Sequence, residues 1–259
     1  MMIVKAQNIK VSYDRATIID DLSVSFLPGK INVIIGPNGC GKSTLLKALS
    51  GVLALEHGEV LLADKPLLAL NPKSRAKTLS LLPQYNVAPD GISVLELVKR
   101  GRFAYQNWMR QWHPDDEAAV CQALSYTGLD SIAHEPLQTL SGGQRQRAWL
   151  ALVLAQQTPI VLLDEPTTYL DMGHQIEVLN VCKRLNEKQN STIIMVLHDL
   201  NLAARYADFM VAMKEGKLLA TGRPEEVITA NNIQALFDLS CQIIRDPASQ
   251  TPLIIPDFN

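Results

Sequence analysis

The chain has no excess of positive charge. Its 24 lysines and arginines stand against 26 aspartates and glutamates, a net charge of −2 over 259 residues. A general nucleic-acid binder needs a basic surplus to neutralise phosphates, so nucleic acid is excluded as the main partner. Long apolar runs are absent too. The longest, Ala148 to Ala155, is far short of the ~20 residues that a spanning helix needs. Met1 to Gln7 has no basic segment leading into an apolar stretch, so it does not read as a signal peptide. The four cysteines, at 40, 121, 182 and 241, form no C-x-x-C pair, which excludes the usual zinc and disulfide frameworks. No repeat, low-complexity tract or charge block interrupts the chain. What is present, 47% hydrophobic and 19% charged residues, is the composition of a folded domain, and the chain reads as cytosolic. At about 150 residues per domain, its length allows one large domain or two coupled subdomains. A mean hydropathy of +0.06 is slightly apolar for such a protein.

The pattern along the chain alternates strands and helices, which points to an α/β fold. Lys30 to Ile35, Ile160 to Leu163 and Thr192 to Leu197 are short apolar runs suited to parallel strands buried on both faces. Lys42 to Ser50 reads as a helix, as do Leu150–Ala155 and Leu200–Tyr206. The stretch 85–148 differs, with helical spacing and clear stop signals. His113-Pro114-Asp115-Asp116-Glu117 marks a helix entry and Gly128 a C-cap. It is expected to be a mostly helical insertion in a core made of 1–84 and 149–223. Met210 to Ala220 reads as a hairpin turning at Glu215-Gly216. Residues 224–259 are expected to form a C-terminal helical tail of one or two short helices ending in a polar segment.

Gly36-Pro37-Asn38-Gly39-Cys40-Gly41-Lys42-Ser43-Thr44 fits G-x-x-x-x-G-K-[ST], between an apolar strand and a helix. Glycines let consecutive backbone N–H groups turn inward onto a phosphate, and the helix N-terminus adds partial positive charge. Lys42 supplies a mobile cation for the β and γ phosphates. Ser43 offers a hydroxyl to Mg²⁺, a cation that prefers oxygen ligands. The loop by itself indicates a nucleoside triphosphatase of some kind. At the end of a second apolar strand stand Asp164 and Glu165. In an open α/β sheet that end faces the ligand crevice. Asp164 suits Mg²⁺ held through water, and Glu165 suits a general base for the attacking water.

Leu140-Ser141-Gly142-Gly143-Gln144 precedes a helix carrying Arg145 and Arg147. Together with the loop and the acidic strand end, it resembles the signature of the ATP-binding cassette (ABC) proteins, over about residues 3 to 229. The resemblance implies a P-loop NTPase core with a parallel-sheet RecA-like subdomain, an antiparallel β edge and an inserted helical subdomain. It also implies a homodimer, in which Ser141, Gly142, Gly143 and Gln144 of one subunit close over the ATP held by the other. The residues agree: one nucleotide needs one phosphate-ready helix terminus, and this chain has two. By the same resemblance His198, after Thr192–Leu197, contacts the γ phosphate; Gln84, in Leu81-Leu82-Pro83-Gln84, ligates Mg²⁺; Tyr13 stacks on adenine; and Asp171 makes a dimer contact. For Tyr13 the competing reading is a core tyrosine at a strand end. Thr168-Tyr169-Leu170-Asp171 departs from the family's more frequent Ser-Ala-Leu-Asp and leaves Tyr169 unassigned. Cys40 stands where Ser or Ala is common. A thiol beside Lys42 at a helix N-terminus is expected to have a lowered pKa, against the alternative of an inert buried spacer.

Gly36 and Ser141 lie 105 residues apart without sustained heptads, which argues against the coiled-coil repair ATPases of this family. A single cassette argues against the tandem translation-associated members. Tyr85, Phe103, Tyr105, Trp108 and Trp112, interleaved with Lys99, Arg100, Arg102 and Arg110, have the composition of a protein interface as well as of a subdomain core. Gly101-Arg102, Leu154-Ala155-Gln156 and Asp164 to Asp171 resemble the ATPases of ferric-siderophore, ferric citrate, haem and cobalamin importers, although Ala104 replaces a proline of that group. The resemblance implies an ATP- and Mg²⁺-dependent ATPase subunit on the cytoplasmic face of a bacterial inner membrane. Its partners would be a membrane permease and, indirectly, an extracytoplasmic substrate-binding protein, with an iron chelate as cargo. The alternatives are a soluble ABC ATPase of iron–sulfur cluster assembly and an importer ATPase for haem or cobalamin.

Overall fold

The computed structural model describes residues 3–13, 16–106, 112–168 and 170–257. Trp108, Arg110 and Tyr169 therefore lie outside the described residues. In chain order the elements are β1 (Val4–Tyr13), β2 (Ala16–Phe26), β3 (Ile31–Ile35), α1 (Lys42–Ser50), β4 (His57–Leu62), β5 (Lys65–Pro66), α2 (Pro72–Thr78) and β6 (Leu79–Leu82). Next come α3 (Val94–Lys99), α4 (Pro114–Thr127), α5 (Gly142–Ala155), β7 (Ile160–Asp164) and α6 (Met172–Gln189). The last are β8 (Thr192–Val196), α7 (Leu200–Tyr206), β9 (Phe209–Lys214), β10 (Lys217–Gly222), α8 (Pro224–Val227), α9 (Ala230–Phe237), β11 (Cys241–Arg245) and β12 (Pro252–Pro256). They gather into two compact units, Met1–Ala69 with Asn190–Asn259, and Leu70–Gln189.

The first unit holds β3 between β8 and β9, both parallel to it. Every residue of β3 and β8 is buried, as expected of a strand covered on both faces. The one polar residue in β3, Asn32, is fully buried and satisfied. Its Oδ1 accepts from Leu27 N–H at 2.7 Å, and its amide donates to the carbonyls of Leu27, Lys30 and Ile193. It thus closes the turn that feeds the strand. Strand β9 turns back into β10 through Glu215 and Gly216, both with positive φ. That matches the two-residue hairpin expected there. A separate antiparallel sheet runs β2-β1-β4-β5, and α1 packs against β1 and β2.

The two short helices expected at the start of 224–259 are present as α8 and α9, and the polar tail expected after them is corrected. There β11 and β12 pair as an antiparallel hairpin. Alternation of buried Cys241 and Ile254 with exposed neighbours, and Pro252 and Pro256 flanking β12, suit a two-stranded ribbon better than a helix. Asn201 of α7 holds this hairpin, its Oδ1 accepting from Ile254 N–H at 2.8 Å.

The second unit carries β6 and β7 in parallel, with Leu82 opposite Leu163. Between them α3, α4 and α5 pack on one another. Helix α4 begins at a His113 cap with Pro114 in its first turn and stops at Gly128 in the left-handed conformation. Gly101 lies so close to α5 that a Cβ there would overlap the Leu152 carbonyl. The neighbouring Arg102 is buried and donates to Asp116 at 2.9 Å, to the Ala155 carbonyl at 2.8 Å and to Gln157. Its guanidinium also stacks on the Tyr105 ring. This buried pair ties the segment after α3 to α4 and α5. Removing one partner leaves an uncompensated charge, so Asp116→Ala should cost about 3–5 kcal/mol of stability, measured by urea unfolding of the whole chain.

Candidate functional site

In the first unit the Gly36–Gly41 loop leaves β3 and enters α1. Gly36, Gly39 and Gly41 all have positive φ, which admits side chains only with strain. Gly36 has a second constraint: a Cβ would overlap the Met213 carbonyl of β9. The loop is also fixed by Gly216, whose N–H donates to the Cys40 carbonyl at 3.0 Å. Gly41 sits against Ile18 and Ile19 of β2. Two hairpins therefore pack against the loop. Because Tyr13 pairs with Ala16 at the end of the β1–β2 hairpin, it lies a few residues along the strand from that contact. Tyr13 is 42% exposed, so it is not a core residue of this unit.

Lys42 is 5% exposed, and its Nζ donates to the carbonyls of Gly36 and Pro37, each at 2.8 Å. The ammonium lies folded over the loop and would exchange those carbonyls for phosphate oxygens. Ser43 is half-buried and Thr44 buried at the start of α1. Asn38 and Gly39 are exposed, with open space around Gly39. His198 lies just past β8 and is exposed. Strands β3 and β8 are parallel with Ile34 opposite Val196, so Gly36 and His198 leave the same end of the sheet. Asp199 next to it caps α7, accepting from the N–H groups of Asn201 and Leu202 at 2.9 Å.

Cys40 corrects the expectation of a lowered pKa. The side chain is buried, and desolvation pushes the thiol up, outweighing the lowering by Lys42. Proximity to a cation does not activate a thiol that water cannot reach.

In the second unit the strand register brings two predicted residues together. With Leu82 opposite Leu163, Gln84 and Glu165 each stand two residues beyond that pair. Gln84 Nε2 donates to Glu165 Oε2 at 2.7 Å, and the Thr168 hydroxyl donates to the same oxygen at 3.0 Å. Glu165 has φ of 52°, a strained conformation for a residue with a side chain and common at functional turns. Asp164 is buried at the end of β7. Ser141 caps α5 in a capping box: its hydroxyl accepts from Gln144 N–H at 3.2 Å, and Gln144 Oε1 accepts from Ser141 N–H at 2.9 Å. Ser141 and Gly142 are exposed, with nothing near Gly142. Asp171 is exposed and caps α6. Its carboxyl is held below the usual range, chiefly by the His174 backbone N–H and then by the His174 ring. His174 belongs to no motif, and no spacing in the sequence flags it.

The family model described as ABC transporter matches residues 19–168. The probable siderophore transport system ATP-binding protein of Bacillus subtilis (strain 168) is 51% identical over 256 residues, 99% of this chain and 93% of that protein. The ferric enterobactin transport ATP-binding protein of Escherichia coli (strain K12) is 45% identical over 252 residues, 97% of this chain and 93% of that protein. Among solved structures, the dimeric post-hydrolysis state of the ATP-binding cassette MJ0796 bound to ADP and Pi superposes with a TM-score of 0.76 at 26% identity. It covers 85% of this chain and 98% of that one.

Maleimide at pH 7 should label exposed Cys121 first and leave buried Cys40 unmodified until the chain is denatured, as read by peptide mass mapping. Rapid labelling of Cys40 in the native chain would contradict the burial argument.

Proposed function

This chain belongs to the ABC transporter family and is an ATPase, and we propose that it drives import of an iron chelate through a membrane permease. The observation that carries the ATPase reading is the Gly36–Gly41 loop, with three positive-φ glycines and a buried lysine folded across it. Such a loop is preorganised for a triphosphate, and the Lys42 ammonium is free to trade two carbonyls for β and γ oxygens. The same-end exit of Gly36 and His198 supports His198 as the γ-phosphate contact. Tyr13, with an exposed ring near the loop, is the adenine platform, worth about 1–3 kcal/mol per stacked base.

Glu165 is the general base. Gln84 and Thr168 both donate to Oε2, which holds the carboxylate in one orientation. Water activation by such a group contributes about 10²–10⁴-fold. Ser43 in the first unit, and Asp164 and Gln84 in the second, each offer an oxygen of the kind Mg²⁺ prefers. The amide nitrogen of Gln84 is committed to Glu165, which turns its carbonyl to the task. When bound, the ion neutralises developing phosphate charge.

Ser141 and Gly142 stand exposed at a capped helix start. That supports their use on a nucleotide held by a second copy, as does the dimeric cassette of similar fold. Asp171, exposed at the start of α6, is the matching dimer contact. A permease fits the surface of the second unit. An apolar groove of about 450 Å³ lies between Pro72, Ala76, Phe103 and Ala104, with Phe103 79% exposed. No helix among the described residues is long and apolar enough to cross a membrane, so the translocation path is assigned to that partner. The iron-chelate cargo rests on relatives such as the siderophore and ferric enterobactin transport ATP-binding proteins. An extracytoplasmic binding protein and attachment at the cytoplasmic face complete the reading.

Glu165→Gln should leave ATP binding intact, lower turnover by about 100-fold or more, and trap a dimer seen by light scattering. An ATP-loaded variant that stays monomeric would overturn the sandwich. Copurification of a polytopic membrane protein in detergent supports the importer. Copurification of cytosolic cluster-assembly proteins instead would favour the soluble alternative.

A further inference from the structure

His174 makes two contacts that a helix start does not need. Asp171 caps α6 by accepting from His174 N–H at 2.9 Å, and the first helical bond runs from Gln175 N–H to the Asp171 carbonyl. Those bonds complete the cap. Yet the same Asp171 Oδ1 also lies 2.9 Å from His174 Nδ1. An ionised carboxylate only accepts, so Nδ1 carries the proton in this pair.

The ring's other contact is with the signature turn. A Cβ at Gly143 would lie 3.0 Å from His174 Cδ2, 3.1 Å from Cγ and 3.3 Å from Nε2. The imidazole therefore rests on the bare Cα of Gly143. Gly143 is buried and is not among the glycines with positive φ. Here glycine is required for close approach rather than for backbone conformation. Gly142, one residue earlier, has open space and no such neighbour.

We propose that His174 is a positioning residue that locks the Ser141-Gly142-Gly143 turn to the Asp171 carboxylate, so that both present themselves to the partner subunit as one rigid surface. This rests on the proposed sandwich. Two further ties hold α5 to the segment after β7 and to α6: Gln146 donates to the Pro166 carbonyl at 3.0 Å, and Arg147 pairs with Glu177. These fix the helices. His174 reaches both groups meant for the partner, Gly143 of the turn and the Asp171 carboxylate. With Oδ1 committed to the imidazole, the rotamer of Asp171 is set, and the side chain stays exposed. A signature turn that shifts must move the ring, and the ring moves Asp171.

The test compares His174→Ala, His174→Asn and His174→Gln in the full-length chain, with thermal melts to confirm folding. Asparagine keeps a donor where Nδ1 stands, and glutamine moves it to the Nε2 position. Loss of positioning should lower kcat about tenfold in the Ala variant while ATP KM stays within about twofold. Asparagine should recover most of kcat and glutamine should not. In an Asp171→Ala background, His174→Ala should add no further loss. Wild-type kcat in His174→Ala, an Asn variant no better than Ala, or losses that multiply across the Asp171→Ala pair would each overturn the proposal. Failure of the underlying sandwich shows separately, as Glu165→Gln that binds ATP without dimerising.

Discussion

A Cβ at Gly36 would run into the Met213 carbonyl, and much of the first unit depends on that contact. The loop can leave β3 only by hugging β9, which is why β9 must lie parallel beside β3. The hairpin that ends β9 then brings Gly216 onto the Cys40 carbonyl, and a side chain at Gly216 would in turn strike the Ile18 carbonyl of β2. Two sheets and one loop are thereby wedged into a single socket. Cys40 is buried by the same wedge, and its thiol is pushed up rather than down. Lys42 bonds two carbonyls of the loop because the loop's curvature aims them at its Nζ.

The second unit meets its chemical demand by strain instead of wedging. Glu165 has a left-handed backbone, which costs about 1–3 kcal/mol for a residue with a side chain. Gln84 and Thr168 hold its carboxylate, and Thr168 N–H returns to the Glu165 carbonyl at 3.3 Å. The strain is tolerated because the parallel register of β6 and β7 delivers Gln84 opposite it. The buried Arg102–Asp116 pair stabilises the helical part of the same unit. A charge pair there fixes geometry more than it adds stability, since two buried charges forfeit hydration.

What was legible in the sequence was what local chemistry dictates. Lys42 to Ser50 is helical because glycine ends the loop and Gly51 ends the helix. His113-Pro114 and Gly128 mark the ends of α4 for the same kind of reason. The loop, the acidic strand end and the Ser141 cap each need neighbours in sequence, so spacing revealed them. What stayed hidden depends on distant partners. The β1–β2 pairing slips at bulges near Asn8, which breaks the alternation a strand reading needs. The β11–β12 hairpin is short and anchored by Asn201, about fifty residues away. His174 meets Gly143 across thirty-one residues, with no periodicity to announce it. Cys40 misled because a cation in sequence proximity is visible, while burial by Met213 and Gly216 is not.

The chain has two glycine-rich turns at helix starts, and they differ in a way that matters for assembly. At Gly36–Gly41 the ends of the turn are held by its own unit while Asn38 and Gly39 stay exposed, and the adjoining lysine is committed to its carbonyls. At Ser141–Gly143 the outer face is bare: Ser141 and Gly142 are exposed, and the capping box satisfies only the N–H groups of Ser141 and Gln144. A helix start whose remaining donors face water gains nothing for the isolated chain beyond the cap. It gains a great deal when an anion is brought to it. The turn with Lys42 folded across it suits a resident nucleotide, and the capped turn at Ser141 suits the nucleotide of the proposed second copy. That difference supports the proposed head-to-tail pairing, in which each copy would supply what the other lacks.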